Sequence, residues 1–557
     1  MMGTHSSMIL LLITIIDFNM AAPYSSSPLF QEDNSSSKIS PSQYKGVFWQ
    51  ITDIHWDQQY SINGDEKKMC HKEYSSSGRS NGKFGNYLCD SPWPLVKNAI
   101  QTMQKIESTP DFVLWTGDNV PHVNDPEPDF STIFLTLNNI TTELRTSFED
   151  YIPILPVLGN HDAFPKDDYP VAGEEFYGQY LTKGGWSLVL PEEAQEDFKK
   201  GGFYEYSLPS NVTVMVLNTN LYYGPNDLLL NISDPCGQFS WIREKLIIAA
   251  EEGRKVVIAA HAPPGYFERY AVVPFFSVSY NDVYLDLLNE FEEVIMAQIY
   301  GHEHTDSFKL FTSATGEVKS VGFLAPSVTP WYPAPVLGGT PVNPSLRLYS
   351  YNSSTLLDYS QFHLNLAKTY KLPSSLSKIG RGLTNEPEWE EFYRARKMFG
   401  LESLDPNSMA KLYQNLVNND ELFQTYYLLN SAGYNHGKCV GCCKRTQLCA
   451  IANIRIEDLN RCMNDNDTNR CHNFNNSFYL DHVHLNVNSD LAPPSSAPIF
   501  VVILVTLGMS LMVILTVSLG IMVVNVVIGR HRLVRQEGGM QVSDLNFSLR
   551  PKGYHPF

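Results

Sequence analysis

Short apolar runs rich in β-branched residues alternate with polar, helix-compatible stretches over residues 44–363. Strands that alternate with helical stretches in this way are typical of an α/β domain. Over residues 385–475 the pattern changes, because Trp389, Phe392 and Tyr393 fall at the i, i+3, i+4 spacing of an amphipathic helix. The pattern therefore predicts an α/β domain followed by a small helical subdomain.

Two longer apolar runs lie near the ends of the chain. Residues 8–16 are largely apolar and precede small residues, which is typical of a secretory signal peptide over residues 1–22. Residues 499–528 contain no charged side chain and exceed the ~20 apolar residues that span a bilayer. Basic residues follow at once, so the positive-inside rule predicts a transmembrane helix over 499–528 and a cytoplasmic tail over 529–557. The expected protein is a single-pass type I membrane protein.

The composition supports export and limits the partners. The 557 residues carry a net charge of −18, which argues against binding duplex nucleic acid through a broad basic surface. An anionic substrate is not excluded, because bound metal ions can dominate the local field. A plasma-membrane location and a lysosome-like compartment both fit these features. Seven asparagines in N-x-Ser/Thr sequences are expected to carry N-linked glycans, namely Asn34, Asn139, Asn211, Asn231, Asn352, Asn466 and Asn475.

The nine cysteines fit an oxidising compartment. Cys70 and Cys89 bracket a polar insertion, and six cysteines cluster after residue 430 with a spacing unlike two zinc-binding CxxC pairs. We therefore expect disulfides, and not a structural metal, in the helical subdomain. Spacing alone leaves the connectivity open, but the odd number leaves at least one free thiol, for which Cys236 is the candidate.

Five apolar runs each end in residues that bind divalent metals. In an extended chain, side chains two residues apart project to one face, so Asp53 and His55 can hold one ion. Open α/β sheets place their sites at the carboxyl ends of strands, so the five segments are expected to meet. In chain order these segments are Asp53-Ile54-His55, Gly117-Asp118-Asn119, Gly159-Asn160-His161-Asp162, His261 and Gly301-His302-Glu303-His304.

The order of these segments resembles the metallophosphoesterase pattern D-x-H…G-D…G-N-H-[DE]…H…G-H-x-H without a gap. Across residues 44–475 the chain resembles, more closely, the acid sphingomyelinase-like phosphodiesterases. The closer resemblance lies in Phe84 to Asp90, Trp115 to Asp118 with Pro121-His122, Gly201 to Tyr204, Leu217 to Gly224, Asn343-Pro344, and the pair Cys439 and Cys443.

This resemblance implies a fold and a set of disulfides. The expected fold is a four-layer α/β/β/α sandwich with a small C-terminal helical, disulfide-stapled subdomain, to which the predicted transmembrane helix is added. The expected disulfides are Cys70–Cys89, Cys439–Cys443 and Cys449–Cys462. The partners of Cys442 and Cys471 are left open.

The resemblance also implies a site with two zinc ions. Asp118 is expected to bridge the ions, and a metal-bound hydroxide is expected to attack phosphorus in line. His122 resembles the family's general acid, His161 is expected to contact the phosphoryl group and share that role, and Asp162 is a candidate orienting carboxylate. Either histidine could instead only support a ligand. The remaining expected ligands are Asp53, His55 and His304 for one ion, and Asn160, His261 and His302 for the other.

Three functions are compatible with the sequence. About 20 polar residues separate the signal peptide from the first strand, too few for the lipid-extracting domain of true acid sphingomyelinases. We therefore predict a monomeric phosphoric diester hydrolase that acts on phosphodiester or phosphoanhydride bonds of nucleotide-type substrates. The alternatives are a sphingomyelin phosphodiesterase that releases ceramide and phosphocholine, and an inactive surface binding protein on the same fold. The resemblance favours an acidic pH optimum, which the residues themselves leave open.

Overall fold

A computed structural model of the chain describes residues 44–72, 80–123, 126–171, 173–229, 232–269, 274–313, 315–331, 340–369 and 387–464. The expected signal peptide over 1–22 and the segments 499–528 and 529–557 lie outside these residues. Four of the asparagines expected to carry glycans also lie outside them, namely Asn34, Asn231, Asn466 and Asn475.

Thirteen strands are present in the described part of the chain. They are β1 (Gly46–Ile51), β2 (Tyr60–Asp65), β3 (Phe112–Trp115), β4 (Ile154–Pro156), β5 (Tyr204–Ser207), β6 (Val212–Val216), β7 (Lys255–Ala259), β8 (Ile295–Tyr300), β9 (Ser307–Thr312), β10 (Val318–Leu324), β11 (Ser345–Tyr351), β12 (Leu356–His363) and β13 (Glu390–Arg394). Twelve of them form two six-stranded sheets, in the orders β13-β12-β11-β1-β3-β4 and β5-β6-β7-β8-β10-β9.

Helices flank both sheets. α1 and α2 contact each other and α1 also contacts β11 of the first sheet, whereas α5 contacts β7 of the second. The helices are α1 (Trp93–Ile106), α2 (Phe130–Ser147), α3 (Glu174–Thr182), α4 (Glu192–Gly201), α5 (Gln238–Glu251), α6 (Val278–Glu290), α7 (Leu366–Thr369), α8 (Ala395–Phe399), α9 (Pro406–Asn418), α10 (Asp420–Asn430), α11 (Cys442–Ala452) and α12 (Ile456–Asn464).

The two sheets pack face to face. The side-chain amide of Gln50 in the first sheet donates to the carbonyl of Tyr300 in the second (3.0 Å). Arg347 of the first sheet likewise donates to the carbonyl of Leu324 in the second sheet (3.1 Å). One continuous hydrophobic core includes residues of both sheets and of the helices. The α/β architecture predicted from the hydrophobic pattern is therefore confirmed.

The direction of the strands determines where the polar segments meet. β1, β3 and β4 are parallel neighbours in the first sheet, and β6, β7 and β8 are parallel neighbours in the second. The metal-type residues follow the carboxyl ends of β1, β3, β4, β7 and β8 directly. Their loops therefore converge at one edge of the sandwich, where open α/β sheets place their sites.

The region after residue 386 is only partly as expected. Phe392 and Tyr393 lie in strand β13 and not in a helix, because β13 pairs with β12 as the edge strand of the first sheet. The hydroxyl of Tyr393 is also 2.8 Å from the hydroxyl of Tyr359, which fixes its side chain toward the sheet. Tertiary pairing has here overridden a helical spacing, and the helix begins only at Ala395 and ends before Gly400.

All three disulfides implied by the resemblance are present in the described residues. They join Cys70 to Cys89, Cys439 to Cys443, and Cys449 to Cys462. Cys442 is disulfide-bonded as well. Cys236 is a free thiol, as the odd number of cysteines suggested.

The membrane prediction requires a correction. Among the described residues, no helix is both long enough and apolar enough to cross a bilayer. The longest of them, the 18-residue α2, packs one face on the core and keeps polar residues on the other. The transmembrane helix of the expected fold, the membrane anchor and the single-pass type I placement therefore have no support among the described residues, and we do not retain them.

Candidate active site

The first cluster of polar side chains joins the loops after β1, β3 and β8. One ligand-type atom from each of its four residues lies within 4.8 Å of the others. Nε2 of His55 is 3.5 Å from an oxygen of Asp118, and Nε2 of His304 is 3.5 Å from an oxygen of Asp53. All four side chains are buried. This cluster contains the three residues expected to hold one ion, together with the expected bridging carboxylate.

A second cluster shares Asp118 with the first. The ligand atoms of Asp118, His261 and His302 also lie within 4.8 Å of one another. Oδ1 of Asn160 is 3.0 Å from Nε2 of His261 and 2.9 Å from Nδ1 of His302. Nε2 of His261 is 3.2 Å from an oxygen of Asp118. The structure therefore brings all seven predicted ligand residues together in two groups with one common carboxylate.

Backbone carbonyls orient two of the imidazole rings. Nδ1 of His55 lies 2.7 Å from the carbonyl of Val120, and Nδ1 of His261 lies 2.7 Å from the carbonyl of Thr116. Because a carbonyl only accepts, Nδ1 carries the proton in both rings, and the lone pair of Nε2 points into the cluster. Metal-binding histidines are typically held in this way.

This arrangement fits cations better than it fits an empty polar cavity. The lone pair of His261 faces the oxygens of Asn160 and Asp118 at 3.0 and 3.2 Å, and contacts between acceptors are repulsive without a cation. Nε2 of His55 is buried and has no hydrogen-bond partner. Burial raises the pKa of Asp53 to about 7, and the neighbouring carboxylate of Asp118 acts in the same direction. Bound divalent ions would relieve all three features.

A residue outside the expected set orients Asn160. The amide Nδ2 of Asn160 donates to Oδ1 of Asp167 (2.7 Å), which turns the amide oxygen toward the histidines. The backbone N–H of Asp167 donates in turn to the carbonyl of Asn160 (2.9 Å). Asp167 lies outside the predicted metal motifs. Its spacing of seven residues from Asn160 does not indicate a contact, so the sequence alone could not predict this role.

The backbone of the ligand loops is strained. Five of the seven ligand residues have φ in the left-handed region, which costs roughly 1–3 kcal/mol each for residues other than glycine. A Cβ on Gly159 would lie 2.1 Å from the nitrogen of Asp118 and 2.2 Å from its Oδ1, so only glycine fits beside the shared carboxylate. The five residues are Asp53 (φ 48°), His55 (φ 42°), Asp118 (φ 57°), His302 (φ 72°) and His304 (φ 59°).

Two further histidines lie beside the first cluster. The ring of His122 is 3.8 Å from that of His55 and 4.5 Å from that of His161, measured between centroids. Trp331 stacks on the other side of His122 at 3.9 Å. The backbone N–H of His161 donates to an oxygen of Asp118 (2.9 Å). Both predicted catalytic histidines therefore lie at the site, and neither belongs to the seven-residue ligand set.

A buried carboxylate holds His122 in place. Asp90 accepts from the backbone N–H of His122 (2.7 Å), from its Nδ1 (3.0 Å) and from the hydroxyl of Thr329 (3.0 Å). Burial raises the pKa of Asp90 to about 7, while these hydrogen bonds act in the opposite direction. Asp90 is the last residue of the stretch from Phe84 that resembles the sphingomyelinase-like family. This resemblance was the only feature of the sequence that could have pointed to Asp90 as a site residue.

Asp162 has a different place from the one expected. Its carboxylate accepts from the backbone N–H groups of Asp118 (3.0 Å), Asn119 (2.9 Å) and Gly159 (2.9 Å), and from the side chain of Asn119 (3.0 Å). It therefore ties the loop after β3 to the loop after β4. The carboxylate that orients a catalytic-type histidine is Asp90.

Comparison with known proteins gives the class and then the family. Residues 46–306, which contain both clusters, match the family model of the calcineurin-like phosphoesterases. Residues 317–469 match the model of the acid sphingomyelin phosphodiesterase C-terminal region. The chain belongs to the acid sphingomyelinase-like phosphodiesterase family and is a phosphoric diester hydrolase, and its paired clusters support a dinuclear metal site.

Curated relatives cover most of the described chain. Acid sphingomyelinase-like phosphodiesterase 3b of Mus musculus is 34% identical over 426 residues, which are 75% of this chain and 90% of that protein. Sphingomyelinase phosphodiesterase C of Dictyostelium discoideum is 35% identical over 441 residues, 77% of this chain and 95% of that protein. Cyclic GMP-AMP phosphodiesterase SMPDL3A of Mus musculus is 34% identical over 424 residues, with 75% and 92% covered.

Proposed function

We propose that the protein is a dinuclear zinc phosphodiesterase that hydrolyses nucleotide-type phosphodiesters or phosphoanhydrides. The observation that supports this most directly is the sharing of Asp118 by the two ligand clusters. Imidazole, carboxylate and amide ligands without a cysteine suit zinc, which binds nitrogen and oxygen donors readily. Asp53, His55 and His304 would hold one ion, and Asn160, His261 and His302 the other, with Asp118 between them.

Residues outside the ligand set transfer the proton and contact the phosphoryl group. Ions held by these residues would lower the pKa of a bound water molecule and would stabilise negative charge on the phosphoryl oxygens. His122 donates Nδ1–H to Asp90, and in the doubly protonated ring Nε2 gives the second proton to the leaving oxygen. His161, whose ring lies 4.5 Å from that of His122, contacts the phosphoryl group and shares the proton transfer.

Two observations favour nucleotides over lipids as substrates. A relative of 34% identity is a cyclic GMP-AMP phosphodiesterase. Aromatic rings also lie against the site histidines, with Trp331 on His122 at 3.9 Å and Tyr223 near His302 at 5.2 Å. Aromatic side chains at a site offer faces on which a nucleobase can stack. Sphingomyelin is the competing substrate, because other relatives are named for it.

A substrate comparison on the metal-loaded, full-length protein tests this proposal. Nucleoside triphosphate, cyclic GMP-AMP and sphingomyelin micelles are assayed at equal concentration, and the products are separated by chromatography. We expect kcat/KM to be higher for a nucleotide than for sphingomyelin. If phosphocholine is released faster than the nucleotide products, sphingomyelin and not a nucleotide is the substrate. If the activity does not depend on zinc, the zinc assignment is wrong.

A further inference from the structure

A lysine with no part in the proposed proton transfer lies in the loop after Asn160. The loop turns back on itself, because the backbone N–H of Asp167 donates to the carbonyl of Asn160 (2.9 Å). The backbone N–H of Lys166 donates to the carboxylate of Glu127 (2.5 Å), which holds the loop on its other side. The side chain of Lys166 therefore leaves a fixed backbone position next to the second ligand cluster.

The ammonium group of Lys166 has room for another partner. Its Nζ is 3.8 Å from Oδ2 of Asp167, which is longer than a hydrogen bond, and 39% of its side chain is exposed. Asp167 also shares its carboxylate with Asn160, so its charge is only partly available to the lysine. An exposed pair at this distance contributes little on its own.

The charge of Lys166 reaches the proposed proton donors. Burial is the main cause that lowers the pKa of both His122 and His161, and the positive charge of Lys166 acts in the same direction on both rings. The geometry agrees, because His161 lies on the same loop as Lys166 and its ring is 4.5 Å from that of His122, where the leaving group must contact the proton donor. A substrate that carries negative charge beyond its leaving oxygen would bring that charge toward Lys166.

We propose that Lys166 binds negative charge that the leaving group carries beyond the leaving oxygen, and so makes the enzyme prefer substrates whose leaving group bears a phosphate. This inference rests on the proposed phosphodiesterase function with His122 beside the leaving oxygen. A nucleoside triphosphate cut between its first two phosphates releases pyrophosphate, which offers several anionic oxygens. Sphingomyelin releases neutral ceramide and keeps a cationic choline, so Lys166 has no favourable contact with it.

Two nucleotide substrates with the same retained half separate leaving-group binding from general activity. Thymidine triphosphate leaves pyrophosphate, whereas the p-nitrophenyl ester of thymidine 5′-phosphate leaves a group without a phosphate. For Lys166→Gln in the metal-loaded, full-length protein, we expect kcat/KM to fall about 10- to 100-fold on the triphosphate, the range typical of a charge-assisted hydrogen bond. On the ester we expect less than about a threefold change, since that contact is absent.

Control variants and outcomes complete the test. Lys166→Arg keeps the charge and should retain most of the activity on the triphosphate. Lys183→Gln removes an exposed lysine that contacts Gln179 (2.8 Å), and it should leave kcat/KM unchanged on both substrates. An equal loss on both substrates, or no loss on the triphosphate, would overturn the role of Lys166. If the wild-type protein hydrolyses neither nucleotide, the proposed function itself fails, and this result is distinct from the other two.

Discussion

Replacing Asp90 by asparagine tests whether His122 transfers its proton with the help of a buried carboxylate. Asp90 is fully buried, and two of its three accepted hydrogen bonds come from the backbone N–H and the ring of His122. Asparagine has nearly the same shape, but its amide nitrogen cannot accept. The ring of His122 therefore loses its 3.0 Å hydrogen bond to Oδ1 if the amide oxygen takes the place of Oδ2, where only a longer one of 3.2 Å remains. The ring also loses the negative charge that stabilises its protonated form.

The size of the effect follows from these contacts. A hydrogen bond to a charged group contributes ~1.5–3 kcal/mol, so the loss of one or two corresponds to a fall in rate between about 10-fold and 10⁴-fold. We take about 10²-fold as the central expectation. The fall should appear in kcat, because the proton moves only as the transition state forms.

The assay uses two esters of thymidine 5′-phosphate that differ in their leaving group. p-Nitrophenolate departs without a proton, whereas methanol requires one, so Asp90→Asn should slow only the methyl ester strongly. Metal analysis should find the same content in the variant as in the wild type. Asp111→Asn is the matched control, because Asp111 also accepts from a side chain and a backbone N–H but lies before β3, away from the site.

Three results would refute this reasoning. Equal slowing of both esters would show that Asp90 supports the whole site and not the proton donor. Unchanged turnover of the methyl ester would remove the Asp90–His122 pair from the mechanism. Loss of metal in the variant, with activity restored by added zinc, would also assign Asp90 to the ligand loops.

Three further predictions concern the ligands, the proton donor and stability. His122→Ala should keep its metal and lower kcat by roughly 10²–10⁴-fold, measured with the methyl ester. Asp118→Ala should lose both ions and activity together in metal analysis, because both clusters use its carboxylate. Burial first, and then the charge of Glu303, raise the pKa of Glu268 from 4.5 to about 8. Wild-type stability should therefore fall, relative to Glu268→Gln, by a few kcal/mol between pH 4.5 and 8 in chemical unfolding.

Each of these predictions has a clear contrary outcome. His122 is not the proton donor if its alanine variant turns over the methyl ester at the wild-type rate. One ion retained in Asp118→Ala would mean that the carboxylate does not bridge. For Glu268, the sign follows from a raised pKa: the protonated carboxyl is fully stabilising below its unfolded value and loses this as pH rises through about 8. A pH-independent difference between wild type and variant would contradict it.

The C-terminal region contacts the loop after β8, which carries His302 and His304. The carbonyl of Asn430, at the end of α10, accepts from the backbone N–H of Asp306 (2.8 Å), and its Nδ2 donates to the carbonyl of Asp306 (2.9 Å). The hydroxyl of Tyr426 donates to the buried carboxylate of Glu268 (3.0 Å). Because Asp306 follows His304 by two residues, α10 helps to hold the loop that carries two of the proposed ligands. The C-terminal region therefore contributes directly to the support of the site.

The sequence by itself determined the chemistry of the site. Asp53 and His55 are two residues apart after an apolar run, and the other ligand-type residues follow their strands just as closely. A ligand-type residue directly after a strand can be recognised from consecutive residues, since each strand must end in a loop at the edge of its sheet. The disulfide pairs and the α/β pattern were also accessible, the first through resemblance and the second through periodicity.

Only the tertiary structure decided which side chains orient the others. Asp90 lies 32 residues before His122, and Asp167 orients Asn160 through a loop that folds back, so neither pairing follows from spacing. Spacing was also misleading for Tyr393, which lies at helical spacing in the sequence but belongs to the edge strand β13. Ligand types are encoded locally, whereas the partners that fix their geometry depend on where two sheets bring separate loops together.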